Sequence, residues 1–137
     1  MDDGPALALQ QVIVATLRAD PALAGMVSGR VYDEAPADVA FPYVRLGNVD
    51  PQADRIGCYT DDRIRFSIEC YSRPPSGRVE AGRIGFAVRR ALDGAQLDPA
   101  GYTLDWLDYL TQTTTRTPDG ASYVATVAFE AAMAPAA

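Results

Sequence analysis

The stretch RIRFSIECYS at residues 63–72 alternates strictly between apolar and polar side chains, and it decides the fold class. One face of this segment carries the apolar residues Ile64, Phe66, Ile68 and Cys70. The opposite face carries Arg63, Arg65, Ser67, Glu69 and Tyr71. A period of two is typical of a half-buried β-strand, with one side against a core and the other towards solvent. The chain is therefore predicted to contain a sheet that other elements cover on one face.

Two amphipathic helices are predicted to supply that cover. Residues 5–18 repeat apolar side chains at a spacing of three to four, with Leu9, Val12, Ile13 and Leu17 on one stripe. A short turn through Leu23 and Met26 is expected to follow. Residues 77–93 form the second helix, with a stripe of Ile84, Ala87, Val88, Ala91 and Leu92. Gly94 is placed to cap this helix, and Gly82 and Gly85 inside it indicate close approach of the sheet or of a neighbouring subunit.

Three further strands complete the sheet. Residues 43–49 are predicted to be a strand entered through Pro42, and LDWLDYLTQTTTR with SYVATVAFEA is predicted to form an antiparallel hairpin around TPDGA. Between residues 50 and 62, DPQADRIGCYTDD has no period and is predicted to be a long loop. The fold class is therefore α+β, with a mostly antiparallel four-stranded sheet, two helices on one face and a long loop between the first two strands.

The length and composition are those of one domain over residues 1–137, with an ordered core at about 5–131 and a frayed end at 132–137. The chain has 18 acidic and 12 basic residues, a net charge of -6, and no Lys or His. Such a chain is not expected to bind duplex DNA tightly, because Lys and Arg provide most of that affinity. No apolar run approaches the roughly 20 residues that span a bilayer, so no membrane partner is expected.

The residue types of common active sites are either absent from the chain or lie in unsuitable sequence contexts, so no enzyme activity is predicted. Without His, the serines and the two cysteines lack the commonest activating base. Carboxylate pairs such as Asp61 with Asp62 lie beside turn residues, where solvation explains them better than a raised catalytic pKa. Cys58 and Cys70 show no zinc spacing, and a disulfide between them is disfavoured in a chain without a signal segment. We expect the protein to bind neither a metal nor a cofactor. We also expect it to reside in a reducing compartment.

The candidate assembly interface combines the 50–62 segment with the polar face of the 63–72 strand. An ordinary exposed sheet face and a disordered loop are the alternatives. Arg is favoured at interfaces because its planar guanidinium pairs with carboxylates of a neighbour, and Ile56 and Tyr59 have little reason to be exposed unless a partner covers them. The candidate residues are Asp50, Asp54, Arg55, Ile56, Tyr59, Asp61, Arg63, Arg65 and Glu69.

The order of several segments resembles a known family. ALQQVIVATLRADPALAGMVSGRVYDEAP, then FPYVRLGN, then SIECYSRPPSGRVEAGRIGFAVRRAL is similar to the tail terminator, or tail completion, proteins of long-tailed phages and gene transfer agents. The resemblance covers about residues 5–129, and no single piece of it is catalytic.

The resemblance implies an α+β subunit of a hexameric ring at the head-proximal end of a tail. Such a ring stops growth of the tail tube and joins the tube to the neck, with duplex DNA passing through without tight binding. The implied partners are further copies of the chain, the tail tube protein and a head-tail connector or stopper protein. The protein would reside in the host cytoplasm during assembly and then in the virion or transfer-agent tail. The alternatives are another connector component such as a stopper, a small monomeric binding module and a hydrolase.

Overall fold

The computed structural model describes residues 3–56 and 59–136, with side chains described except at residues 54–60. The fold is α+β, as predicted. The helices are α1 (Pro5–Ala19), α2 (Pro21–Val27) and α3 (Gly77–Leu92). The strands are β1 (Val31–Tyr32), β2 (Tyr43–Ile56), β3 (Tyr59–Ser72), β4 (Tyr102–Arg116) and β5 (Tyr123–Pro135). They form one mixed sheet in the order β1-β2-β3-β5-β4.

The core lies between the helices and one face of this sheet. The alternation in β3 is confirmed, since the four apolar side chains from Ile64 to Cys70 are at most 3% exposed. They belong to one buried cluster with Ile84, Val88 and Leu92 of α3. Helix α3 lies over β3, β5 and β4, whereas α1 lies over β1 and β2. The other face of the sheet, here called the outer face, carries the polar side chains of β3.

The expected turn after α1 is wrong, because the segment is the helix α2. Asp20 has an extended backbone, as the residue before a proline should, and its carboxylate accepts a hydrogen bond from Leu23 N at 3.0 Å. Pro21 occupies the first turn, where its missing N–H costs nothing. Leu23 and Val27 are fully buried. The chain therefore has three helices among its described residues and not the two that were predicted.

The sheet has a fifth strand that the sequence did not indicate. Strand β1 is two residues long and pairs in parallel with β2, with Val31 opposite Val44. A strand of this length cannot show a period. The predicted antiparallel four-stranded sheet is therefore correct for β2 to β5 and incomplete at the β2 edge.

The predicted long loop at 50–62 is wrong wherever the structure describes it. Strands β2 and β3 continue through this segment as a hairpin, with Asp50 opposite Arg65, Gln52 opposite Arg63 and Ile56 opposite Tyr59. A register shift between Leu46 and Val49 breaks the side-chain alternation at the start of the segment. Residues 50–53 are exposed, so backbone pairing rather than burial of side chains defines these strands.

Two of the three glycines of α3, Gly82 and Gly85, have different surroundings. A methyl group at Gly85 would meet the side-chain amide of Gln112 at 2.7 Å, and the Gln112 amide nitrogen donates to the Gly82 carbonyl oxygen at 3.2 Å. Close approach of helix to sheet therefore explains Gly85. A methyl group at Gly82 would meet nothing within 4 Å, so the sheet does not explain that glycine.

The expected fraying at 132–137 is wrong for most of that range. Strand β5 extends to Pro135, and Met133 is fully buried opposite Asp62 of β3. The alanine-rich sequence of this end does not by itself predict a strand. The end is ordered because β4 pairs with it as far as Tyr102. Residue 137 lies outside the described residues.

Candidate functional site

The outer face of the sheet carries two ion-paired groups, and both contain predicted interface residues. In the first, the Glu130 carboxylate of β5 accepts from Arg65 Nε at 2.7 Å and lies 3.9 Å from Arg63 Nη1. The Arg63 and Arg65 side chains remain 55% and 68% exposed. The two arginines thus reach the same carboxylate of their own chain while their guanidinium groups remain accessible to a partner.

The second group surrounds Glu69. Its carboxylate accepts hydrogen bonds from Arg45 Nε at 2.7 Å and from the Tyr71 hydroxyl at 2.8 Å. The Tyr71 ring stacks on Tyr43 with 4.8 Å between centroids, and Phe41 contacts Tyr43 edge to face. Glu69 is therefore held by its own chain through one carboxylate oxygen, Oε1.

The environment of Glu69 suppresses ionisation of the tyrosines beside it. Burial, the hydrogen bond to Glu69 and the charge of that carboxylate raise the pKa of Tyr71 to about 12, although Arg45 acts in the opposite direction. Burial also raises the pKa of Tyr43. Both hydroxyl groups are thus neutral at physiological pH, and Tyr71 remains a donor to Glu69.

This shift predicts loss of stability at alkaline pH. Because the pKa of Tyr71 in the folded chain exceeds the ordinary value of 10.0, unfolded chains lose the proton first as the pH rises. The free energy of unfolding should therefore fall between pH 10 and about pH 12. Denaturant melts across this range should show a shallower fall for Tyr71→Phe than for the wild type. An equally steep fall in both would contradict the assignment.

The 50–62 part of the predicted interface is only partly described. Asp50 is exposed, and its carboxylate accepts from Gln52 Nε2 at 3.3 Å. Asp61 is half-buried and lies opposite Asp54 in the register. For Asp54, Arg55, Ile56 and Tyr59 the structure gives the backbone register alone, and their side chains lie outside the described residues, as does Cys58.

Sequence reasoning missed the partners that complete both groups. It did not select Glu130, Arg45 or Tyr71, because the first contact joins residues 65 positions apart and the register of the sheet was unknown. Glu130 does occupy a polar position between the buried Phe129 and Ala131, a signal that was available in the sequence. Arg63 also lies over the Trp106 ring of β4, with 5.7 Å to the centroid.

The described residues offer little for catalysis. They contain no cluster of three His, Cys, Asp or Glu side chains suited to a metal ion. The Ser72 hydroxyl is buried and donates to Glu80, which ties the end of β3 to the start of α3. Burial raises the pKa of the Cys70 thiol, which is the wrong direction for a nucleophile. None of the helices in the described ranges combines the length and the hydrophobicity of a membrane-spanning segment.

Comparison with known proteins identifies the family. The family model described as tail completion protein gp17 matches residues 11–134. The chain belongs to the tail completion protein gp17 family. The gp17 family consists of structural virion tail proteins and is not an enzyme family.

Two solved structures agree with membership of the gp17 family. A chain from the virion of a native gene transfer agent particle is 28% identical, with a TM-score of 0.88 over 97% of this chain and 99% of that one. The bacteriophage SPP1 gp17 protein is 23% identical, with a TM-score of 0.60 over 92% of this chain and 88% of that one. The latter shows a shared fold. No curated protein sequence matches this chain.

Proposed function

We propose that this tail completion protein forms a ring, of six copies as the resemblance implies, at the head-proximal end of a phage or gene-transfer-agent tail. The ring ends polymerisation of the tail tube and joins the tube to a connector or stopper protein of the neck. The observation that carries the proposal is the near full-length match to a chain of a gene transfer agent virion, at a TM-score of 0.88. A particle component of the same length and fold indicates a structural task and not a catalytic one.

We assign contacts with neighbouring virion proteins to the β2–β3 hairpin and the outer face beside it. Pairing of β3 with β5 begins at Asp62, whereas β2 and β3 remain paired as far as Ile56 and Tyr59. At a rise of about 3.3 Å per residue, the hairpin continues about 10 Å past its last pair with β5. The part past that pair contains five candidates: Asp54, Arg55, Ile56, Tyr59 and Asp61. A hairpin with an acidic and partly apolar sequence fits contacts with a neighbouring virion protein better than a role in the subunit core.

Asp50, Arg63, Arg65 and Glu69 would form the base of this interface. The accessible guanidinium groups of Arg63 and Arg65 suit carboxylates of a neighbour, which would compete with Glu130. Glu69 would contribute indirectly, because its carboxylate already accepts from Arg45 and Tyr71. Its role would be to hold the side chains of Arg45 and Tyr71 in position at the base of the interface.

Duplex DNA passes through such a ring and should not bind to it tightly. With a net charge of -6, each subunit adds to the negative charge of the ring, and few counterions would be released on contact with phosphates. An electrophoretic shift assay at physiological salt should detect no complex between the purified chain and duplex DNA. Submicromolar affinity at that salt concentration would contradict a passive conduit.

Removal of the gene from a producing strain tests the proposal. Loss of a terminator should yield overlong or irregular tails that are not joined to heads, and a plasmid copy of the wild-type gene should restore particles. Electron microscopy gives the distribution of tail lengths directly. Unjoined tails of normal length would indicate a stopper instead, and intact particles of normal length would overturn the proposal.

A further inference from the structure

Three of the four exposed large hydrophobic side chains of the described residues lie together on the helices. Met26 of α2 is 41% exposed, and Val79 and Phe86 of α3 are 58% and 52% exposed. Two adjoining surface grooves share Met26 and Arg83, and the larger has a volume of about 510 Å³. We call the group Met26, Val79, Gly82, Arg83, Phe86 and Arg90 the α2–α3 patch. It lies on the helical layer, away from the outer face of the sheet.

Gly82 adds a second and independent observation. A glycine inside a helix costs about 1 kcal/mol relative to alanine, and here a methyl group would meet nothing within 4 Å. The subunit alone gives no reason for this cost, whereas Gly85 is explained by Gln112. If another chain approaches the surface of α3 closely between Val79 and Phe86, residue 82 must have no side chain. The unexplained glycine therefore marks where the occupant lies.

The charge of the patch indicates what the occupant carries. Arg83 and Arg90 are exposed and make no ion pair with any side chain that the structure describes. The carboxylates of Asp20 and Glu80 also line the grooves, but they already accept hydrogen bonds from Leu23 N and from the Ser72 hydroxyl. The two exposed arginines therefore fit an acidic segment with small apolar residues of its own. A chain of net charge -6 offers such segments to its own copies.

One described segment of the chain matches these requirements. Residues 33–40, DEAPADVA, contain the exposed acids Asp33, Glu34 and Asp38 among alanine, proline and valine. The segment follows β1 at one edge of the sheet, and Asp33 accepts from Gln10 Nε2 of α1 at 3.0 Å. Helix α3 covers the other half of the sheet. The two surfaces are different parts of the subunit, so their contact joins copies head to tail, an interface type that can close into a ring.

We propose that the α2–α3 patch binds the 33–40 segment of a second copy of this chain, and that this contact links successive subunits. This inference rests on the proposed ring. It assigns the contact between copies to the helical layer, and it leaves the β2–β3 hairpin to contact the other virion proteins.

Substitutions at Phe86 and Gly82 test the patch in particles. Complementation of the deletion strain with Phe86→Asp should yield few joined particles, whereas Leu110→Asp, the matched change at the fourth exposed hydrophobic residue, should complement normally. Gly82→Ala should raise the melting temperature of the purified chain by about 4 °C and still reduce joined particles. A change that stabilises the subunit and weakens assembly cannot be explained by misfolding.

Charge exchange tests the occupant. Arg83→Glu with Arg90→Glu should reduce joined particles at least about tenfold, and so should reversal of Asp33, Glu34 and Asp38 to Arg. A chain that carries all five changes should recover most of the loss, because each contact regains opposite charges. Sedimentation of particles and mass spectrometry of the purified tails count the incorporated copies.

The outcomes separate this inference from the proposed function. If deletion of the gene leaves tails and joining normal, both the ring and the contact are wrong. If the wild type is required but folded Phe86→Asp and Gly82→Ala chains complement fully, the ring stands and the patch assignment is wrong. If the two sets of charge reversals each fail and their combination does not recover, the 33–40 segment is not the occupant.

Discussion

Truncation of Phe66 to Ala is expected to lower the free energy of unfolding by about 3 to 5 kcal/mol. The Phe66 ring is 3% exposed and stacks on Phe129 of β5, with 5.2 Å between centroids and 16° between planes. It lies in the same buried cluster as Ile84 and Val88 of α3. The substitution removes this packing and leaves a cavity between strand and helix. Urea denaturation followed by circular dichroism measures the change.

Phe86→Ala provides the matched control, because Phe86 is 52% exposed on the surface of α3. Its effect on the unfolding of the free subunit should be below about 1 kcal/mol. A loss below about 1 kcal/mol for Phe66→Ala would mean that the two faces of β3 are inverted relative to the helices. Equal losses for both phenylalanines would mean that α3 packs with a different face.

Shortening of the β2–β3 hairpin is expected to abolish tail termination while the subunit still folds. Asp54 lies opposite Asp61, two residues back along each strand from the pair Ile56 and Tyr59. Replacement of residues 55–60 by Asn-Gly therefore closes the strands with a two-residue turn and keeps their phase. The pairing of Asp62 with Met133 is preserved, so the melting temperature should stay close to that of the wild type.

Tail length in the complemented deletion strain is the functional measurement for this variant. Overlong tails or unjoined heads are expected, with joined particles at the level of the strain without the gene. A length-matched variant with Ile56→Thr and Tyr59→Thr separates the reach of the hairpin from its apolar side chains. If the shortened chain melts normally and yields joined particles with tails of normal length, the hairpin is a simple connection between β2 and β3.

The sequence predicted elements whose side chains are buried with a regular period. The faces of β3, the stripe of α3 and the β4–β5 hairpin were correct because burial imposes a period of two or 3.6 on the residues. The outer ends of β2 and β3 were missed because their pairing depends on backbone N–H and C=O groups. Every residue except proline has both groups, so this pairing leaves no pattern in the sequence. The bulge between Leu46 and Val49 removed the remaining signal.

The junction between α1 and α2 and the ion pairs of the outer face could not be predicted in full from the sequence. Pro21 follows the end of α1 and begins α2, and Asp20 is both the C-cap of α1 and the N-cap of α2. The exposed arginines of β3 were found by their position in the alternation. Their common acceptor Glu130 is brought to them only by the register of β3 with β5, which composition and period do not specify.

The sealed position of Cys70 makes the chain convenient for spectroscopic labelling. The thiol is completely buried and burial raises its pKa, so maleimide and methanethiosulfonate reagents, which attack thiolates, should leave it unmodified in the folded subunit. With Cys58→Ser, a single cysteine introduced at the exposed Ala53 would then carry a nitroxide at one defined place on the hairpin. Distances between nitroxides in assembled tails would report the spacing of neighbouring subunits without removal of a core residue.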